Sequence, residues 1–378
     1  MVRERRLTSR LLFLLIPVAV IVIYETMTKA KYGQGLFSNA MIYPWQATAK
    51  VDKQLSGQLL TGLSFAGGCL FPALFYAPLL KLRRNFHAAG SLATESGKMP
   101  NFRILIVGIA IFLALLPLVY LGIARGLTSR TDVIAATVEG ALFATIGVGI
   151  LALAAADLFQ QKTADSLLLN LWVFGTFFFA TMMNWSITSR TILPMAPVVV
   201  ILLIRRFKNS AVVAAAVTGG RGLPILPLRT AAALWWPLLP AALVSLLVTA
   251  ADYNLADTAR LASRSFQNRF RNEPGTVWFE GHWGFQYYME HWKAKPLDRT
   301  ERRIISGDVL IVPLSNSNVS PTPPVPTSGP PEQVNYPQSL LATMSPGMRA
   351  GFYSSKWGSL PWVFSRVPPE QYLIFRVK

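Results

Sequence analysis

Arg190, Lys29, Lys31, Lys50 and Lys53 are the cations of this chain best placed for anion chemistry. Arg190 stands in Ser189-Arg190-Thr191-Ile192-Leu193-Pro194, at the edge of an apolar run that Pro194 and Pro197 interrupt. A guanidinium there serves as a fork for a phosphate-like anion or as an interfacial anchor whose stem lies along apolar surface. The four lysines cluster between Tyr24 and Gln58, a stretch whose acids are Glu25 and Asp52. A carboxylate near such cations can act as a general base or steady positive charge. Far along the chain, His282 and Trp283 follow Gly281, offering a hydrogen-bonding imidazole beside an indole with a flat stacking face. The bland alternative for His282 is a local helix-capping contact.

The elements that must position these groups are set by a bulk property. Charged residues make up 14% of the 378-residue chain and hydrophobic ones 52%, with a mean hydropathy of +0.39. Soluble domains are about a quarter charged. The apolar residues gather in runs at Leu59–Leu80, Ile104–Ala124, Val133–Ala156, Ser166–Ile187 and Ala231–Ala251. About 20 residues of helix cross a bilayer, and inside it only a helix satisfies its own backbone along one segment. Two shorter runs join them: Leu11–Tyr24, an anchor after a basic start, and Thr191–Ile204, with a kinked or unwound beginning. Ala211–Val217 reads as a re-entrant or interfacial piece. The expected architecture is a multi-spanning α-helical membrane protein of about seven spans. A transmembrane domain, 1–251, precedes a C-terminal domain, 252–378.

Basic loops orient the chain. Arg3, Arg5, Arg6 and Arg10 at the start, Lys81 to Arg103, and Arg205 to Arg229 fall on one side, taken as cytoplasmic. Residues 252–378 then lie outside the cytoplasm. The net charge of +18 belongs to this loop pattern and to anionic headgroups, not to nucleic acid. Cys69 is the single cysteine, so no disulfide or cysteine-based metal site forms. The three histidines lack zinc spacing. Small residues inside spans (Gly62, Gly67 and Gly68; Gly140, Ala144 and Gly147) suit close helix packing. Glu139 is a costly charge within a run, either functional or near the outer end. No internal repeat is visible, which argues against a transporter built on inverted repeats.

The C-terminal domain reads as α/β. Leu255, Ala259, Ala262, Phe266 and Phe270 form one face of an amphipathic helix, lying on the membrane or on the following sheet. Val277–Phe279 and Val309–Val312 are short apolar strands, with an aromatic helix between them. Asp308 after Gly307 reads as a turn residue. Residues 315–331 form a proline-rich extended loop, and Tyr372–Val377 is a closing strand.

Asn184–Arg206 (NWSITSRTILPMAPVVVILLIRR) resembles the Arg-Tyr-x-Leu-Pro-x-x-Pro segment late in the membrane part of GT-C glycosyltransferases, of the protein mannosyltransferase and aminoarabinose transferase kinds. Thr191 stands where those enzymes usually carry an aromatic. Tyr24-Glu25, Tyr32-Gly33, GHWGFQYYM (from Gly281) and GDVLIVP (from Gly307) are also similar to bacterial members. The resemblance implies an inverting sugar transferase of the bacterial inner membrane, drawing on a polyprenyl-phosphate sugar at the outer face. It implies that Arg190 and Lys29, Lys31, Lys50 and Lys53 meet the carrier phosphate, and that His282 and Trp283 meet an acceptor. A divalent metal is the one cofactor left open. The family's acidic pair in the first outer loop is missing, because no two acids are adjacent anywhere. Glu25 and Asp52 are the remaining candidates for catalytic carboxylate. The chain thus resembles the C-terminal part of such an enzyme, with a separate N-terminal half or another membrane subunit as implied partner. The alternative is a scaffold or assembly subunit of the same fold without catalysis.

Overall fold

A computed structural model describes residues 12–13, 15–49, 55–77, 100–123, 130–217, 235–299, 303–316, 319–338 and 340–378. Residues 1–122 and 140–239 cluster as one unit, and residues 123–139 and 240–378 as a second.

The first unit is helical. Its described helices are α1 (Leu15–Tyr32), α2 (Leu36–Ala49), α3 (Leu55–Cys69), α4 (Pro100–Ile123), α5 (Arg130–Gln161), α6 (Ala164–Phe178), α7 (Ser189–Ile192) and α8 (Ala196–Val217). The opening of α5 clusters with the second unit. Phe65, Ile146, Ile150, Val173, Phe177, Ile192, Met195 and Leu202 form the core, drawn from α3, α5, α6, α7, α8 and the turn before α8. The expected small-residue contacts are there. A Cβ on Gly67 would collide with the backbone oxygen of Phe143, and one on Gly147 with that of Leu63. Glycine therefore lets the backbones of α3 and α5 touch, the way helices gain contact where lipid offers no hydrophobic drive.

Among the described residues, four helices are long and apolar enough to cross a membrane: Ile106–Ile123, Thr131–Gln161, Ala164–Met183 and Leu238–Phe270. This makes the chain a membrane protein and corrects several sequence boundaries. The Leu59–Leu80 run is not one continuous helix. At Phe71–Tyr76 it tightens to a 3₁₀ helix carrying Pro72, whose missing N–H cannot continue α3. Ser166–Ile187 ends early, in a π turn at Phe179–Met183, and the chain is extended at Asn184. Ala211–Val217 is the last part of α8 rather than a re-entrant piece. The lysine-rich stretch after Tyr24 is largely helical, in α1 and α2.

The second unit is built on α9 (Leu238–Phe270), a 33-residue helix. At 1.5 Å per residue it is about 50 Å long, against about 30 Å of hydrocarbon. The last apolar run and the amphipathic helix are therefore one element. Its C-terminal part settles the earlier alternative by packing on a sheet, burying Ala262, Phe266 and Phe270. Each phenylalanine contributes about 1.5–3 kcal/mol by leaving water.

That sheet has the order β2-β1-β3-β9-β4: β1 (Val277–Phe279), β2 (Lys295–Pro296), β3 (Val309–Pro313), β4 (Glu332–Tyr336) and β9 (Glu370–Arg376). β1 runs parallel to β2 and β3, and β9 antiparallel to β3 and β4. Helix α10 (Trp283–His291) links β1 to β2. Alternation by two sorts the side chains. Val277, Phe279, Val309, Ile311, Tyr372 and Ile374 meet α9 and α10, while Trp278, Leu310, Val312 and Phe375 pack beneath Ile304, Val319 and Val325. Two-stranded pieces complete the unit: β5 (Leu341–Ala342) with β8 (Val363–Phe364), and β6 (Met344–Ser345) with β7 (Ala350–Gly351).

Candidate functional site

The residues expected to carry chemistry fall in both units. In the first, Arg190 lies exposed within α7. Thr188 caps that helix. Its hydroxyl accepts the Thr191 N–H at 3.2 Å, and the Thr191 hydroxyl takes the Thr188 N–H in return. Thr191 thus fills a capping box at the place where an aromatic was expected. A 3₁₀ turn through Pro194 separates α7 from α8, so Arg190 sits on an interrupted helix entry.

Glu25 has a defined job. Its carboxylate accepts the N–H of Phe37 at 3.0 Å and the N–H and hydroxyl of Ser38. It thereby satisfies orphan donors in the first turn of α2 and closes the α1–α2 corner. Lys29 and Lys31 are exposed in the last turn of α1, and the Lys31 ammonium lies 5.3 Å from the Tyr32 ring centroid. Lys50, Asp52 and Lys53 lie outside the described residues. Tyr43 of α2 meets Trp185, shortly before the Arg190 segment, edge to face, with centroids 5.9 Å apart.

In the second unit the polar groups collect where the parallel strands end. Ligands in open α/β sheets bind at the carboxyl ends of strands. Glu280 directly follows β1 and is buried. It takes the Arg299 Nε–H at 2.7 Å and the Ser320 N–H at 2.7 Å. Arg299 also donates to the Thr322 carbonyl at 3.0 Å. Two residues of the proline-rich loop are thus tied to the sheet end. Gly281 follows with φ +99°, and a Cβ there would crowd Pro313 at 2.9 Å and Asn316 at 3.1 Å. Only glycine fits that turn without strain.

His282 comes next. Its N–H donates to Asn316 Oδ1 at 2.9 Å, and Asn316 Nδ2 donates back to its carbonyl at 3.3 Å. Its Nδ1 lies 3.2 Å from Gln286 Oε1, and Gln286 reaches Glu290 at 2.8 Å. Trp283 is 57% exposed and adopts φ +59°, a left-handed backbone that is rare for a bulky residue. Strain of this kind collects where a side chain is held for use. The indole is more than half exposed, next to a histidine whose main chain is anchored to Asn316 in the loop after β3 and whose ring pairs with Gln286.

On the far side of that loop, Ser315 hydrogen-bonds to Glu370, the buried first residue of β9. Burial pushes the Glu370 carboxyl up to about 7, against the pull of the two Ser315 hydrogen bonds. Consecutive residues, Ser315 and Asn316, thus hold a carboxyl raised to about 7 and the main chain of His282. Asp308 has a different role. Buried just before β3, it accepts from Thr276 N at 2.8 Å, Trp278 Nε1 at 2.8 Å and Ile305 N at 3.0 Å.

Sequence reasoning passed over Glu280, Arg299 and Glu370. One signal was present for Glu280, an acid placed between an apolar strand and a glycine. Among the described residues, no group of three or more His, Cys, Asp or Glu could hold a metal ion. No protein-family model, no curated protein and no solved structure matches the chain.

Proposed function

We propose that the chain is a GT-C-like integral membrane glycosyltransferase, or the C-terminal portion of one, moving a sugar from a polyprenyl-phosphate carrier to an extracytoplasmic acceptor in the bacterial inner membrane. The observation that carries this reading is the exposed guanidinium of Arg190 on a capped, proline-interrupted helix entry. A cation there meets a lipid phosphate whose tail lies between apolar helices, and it stabilises the charge left on phosphate as the sugar departs. Lys29 and Lys31 add positive charge to the same unit, and Lys50 and Lys53 follow them in the sequence. Trp283 gives a sugar ring a stacking face, and His282 a hydrogen bond. In this reading the about seven spans expected from the sequence leave the N-terminus in the cytoplasm and the sheet unit outside it.

Binding of undecaprenyl phosphate and undecaprenol to the full chain in nanodiscs tests the reading. The phosphate binds more tightly than the alcohol, and Arg190→Ala removes about tenfold, the value of one hydrogen bond to a charged group. Equal binding of phosphate and alcohol overturns it.

A second reading, a scaffold subunit of the same fold, draws on Glu25, whose carboxylate is already engaged by Phe37 and Ser38. Co-purification of a membrane partner that carries an acidic outer loop favours that reading.

A further inference from the structure

Three carboxylates on two apolar helices hold one small substructure, residues 340–365. From α9, Asp252 accepts the Tyr353 hydroxyl at 2.6 Å and the Thr343 hydroxyl at 3.1 Å. From the opening of α5, Asp132 accepts the Ser365 hydroxyl at 3.3 Å, and Glu139 accepts the Phe364 N–H at 3.0 Å. Asp132 and Glu139 are about two turns apart, which is about 10 Å along the helix. Glu139 lies inside Thr131–Gln161, a helix long and apolar enough to cross a membrane. Phe364 is therefore held alongside that helix, inward of Asp132.

The side chains at this place are the wrong ones for water. Phe364 is 56% exposed and Leu340 65%. They emerge at the same end of the β5–β8 pair, where the Ser365 N–H donates to the Leu340 carbonyl. Arg366 follows, exposed. Two large apolar side chains with a flanking cation, fixed to the end of a span, match the boundary between headgroups and acyl chains. Lipid covers the apolar pair there, and anionic headgroups meet the arginine. The carboxyl groups of Asp132, Glu139 and Asp252 each accept hydrogen bonds from the 340–365 substructure.

We propose that the 340–365 substructure is a membrane-seated foot, with Leu340 and Phe364 in the acyl edge of the leaflet and Arg366 at its phosphates. The foot does not depend on the sugar-transfer reading, since any activity of the unit would use it. It fixes the height of the sheet unit above the bilayer through α5 and α9.

The single cysteine makes the test direct. In a Cys69→Ser background, Phe364→Cys, Leu340→Cys and the solvent-facing reference Gln333→Cys each carry an NBD label, with the full chain in phosphatidylcholine–phosphatidylglycerol nanodiscs. The labels at 364 and 340 emit to the blue of the label at 333. Doxyl lipids quench them roughly twofold more strongly, and aqueous iodide quenches them less, as expected for groups about 5–10 Å into the boundary. Iodide quenching at both positions equal to that at 333 overturns the foot. A blue shift without doxyl quenching also overturns it, because protein rather than lipid would then cover the face.

Discussion

Glu139 holds the backbone of Phe364, with the amide nitrogen 3.0 Å from one carboxylate oxygen and 3.1 Å from the other. A charge inside an apolar helix is costly and asks for a partner. Here the partner is a main-chain donor from a residue more than two hundred positions away. Glu139→Ala removes the acceptor and leaves the N–H unsatisfied, a loss of about 1.5–3 kcal/mol. Hydrogen exchange at the Phe364 amide then speeds roughly 10- to 100-fold. Glu139→Gln keeps an acceptor oxygen and stays close to the parent. Unchanged exchange in the alanine variant would show that the contact holds nothing.

Asp308 is the acceptor for three donors around the start of β3. Replacing it with alanine strands the N–H groups of Thr276 and Ile305 and the Trp278 indole. The expected cost is about 3–5 kcal/mol, from three donors left unpaired at roughly 1–3 kcal/mol each, partly offset by relaxation. It is read as a lowered thermal midpoint of the sheet unit, with a shift in tryptophan emission. A loss under about 1 kcal/mol would mean that water replaces the carboxylate freely.

Glu370 sets a pH dependence. Burial raises its folded pKa to about 7 from an ordinary 4.5, so the folded state holds a proton that the unfolded state releases. The folded state is favoured fully below about 4.5 and loses that advantage as pH climbs to about 7, by up to roughly 3 kcal/mol. Glu370→Gln stays neutral at every pH. Its unfolding midpoint matches the parent at pH 4.5 and lies above it at pH 8. Parallel curves for the two proteins across that range would refute a buried, proton-holding Glu370.

The interface between α3 and α5 rests on backbone contact at Gly67 and Gly147. Gly67→Ala drives a methyl group into the Phe143 carbonyl and costs about 1–3 kcal/mol as overpacking. Gly57→Ala, with open space around it, is neutral or slightly stabilising through helix propensity. The thermal midpoints of the two variants in detergent separate these outcomes.

Some of this was readable in the chain and some was not, for physical reasons. Val277–Phe279 and Val309–Val312 announced themselves as apolar runs bounded by Gly and Pro, and they became β1 and β3. Gly67 and Gly147 were readable because small residues inside apolar runs have few other uses. The unity of α9 was hidden. Its pattern changes from uniformly apolar to amphipathic near Asp252, and a change of pattern looks like a boundary even where no breaker stands. Helix α2 was hidden by its mixed composition, since the Glu25 cap that closes its entry comes from α1. The two-residue strands of 340–365 are too short to carry a period. Glu280, Glu370 and Asn316 meet their partners only through strand register, which spacing along the chain does not express.

Sugar transfer from a polyprenyl carrier to an extracytoplasmic acceptor requires the sheet unit to face the water outside the cytoplasm. A membrane-impermeant maleimide applied to intact cells that carry Cys69→Ser with Gln333→Cys addresses this directly. The expected result is labelling of residue 333 from outside, before any permeabilisation. Labelling only after the inner membrane is opened would place the unit in the cytoplasm and contradict it.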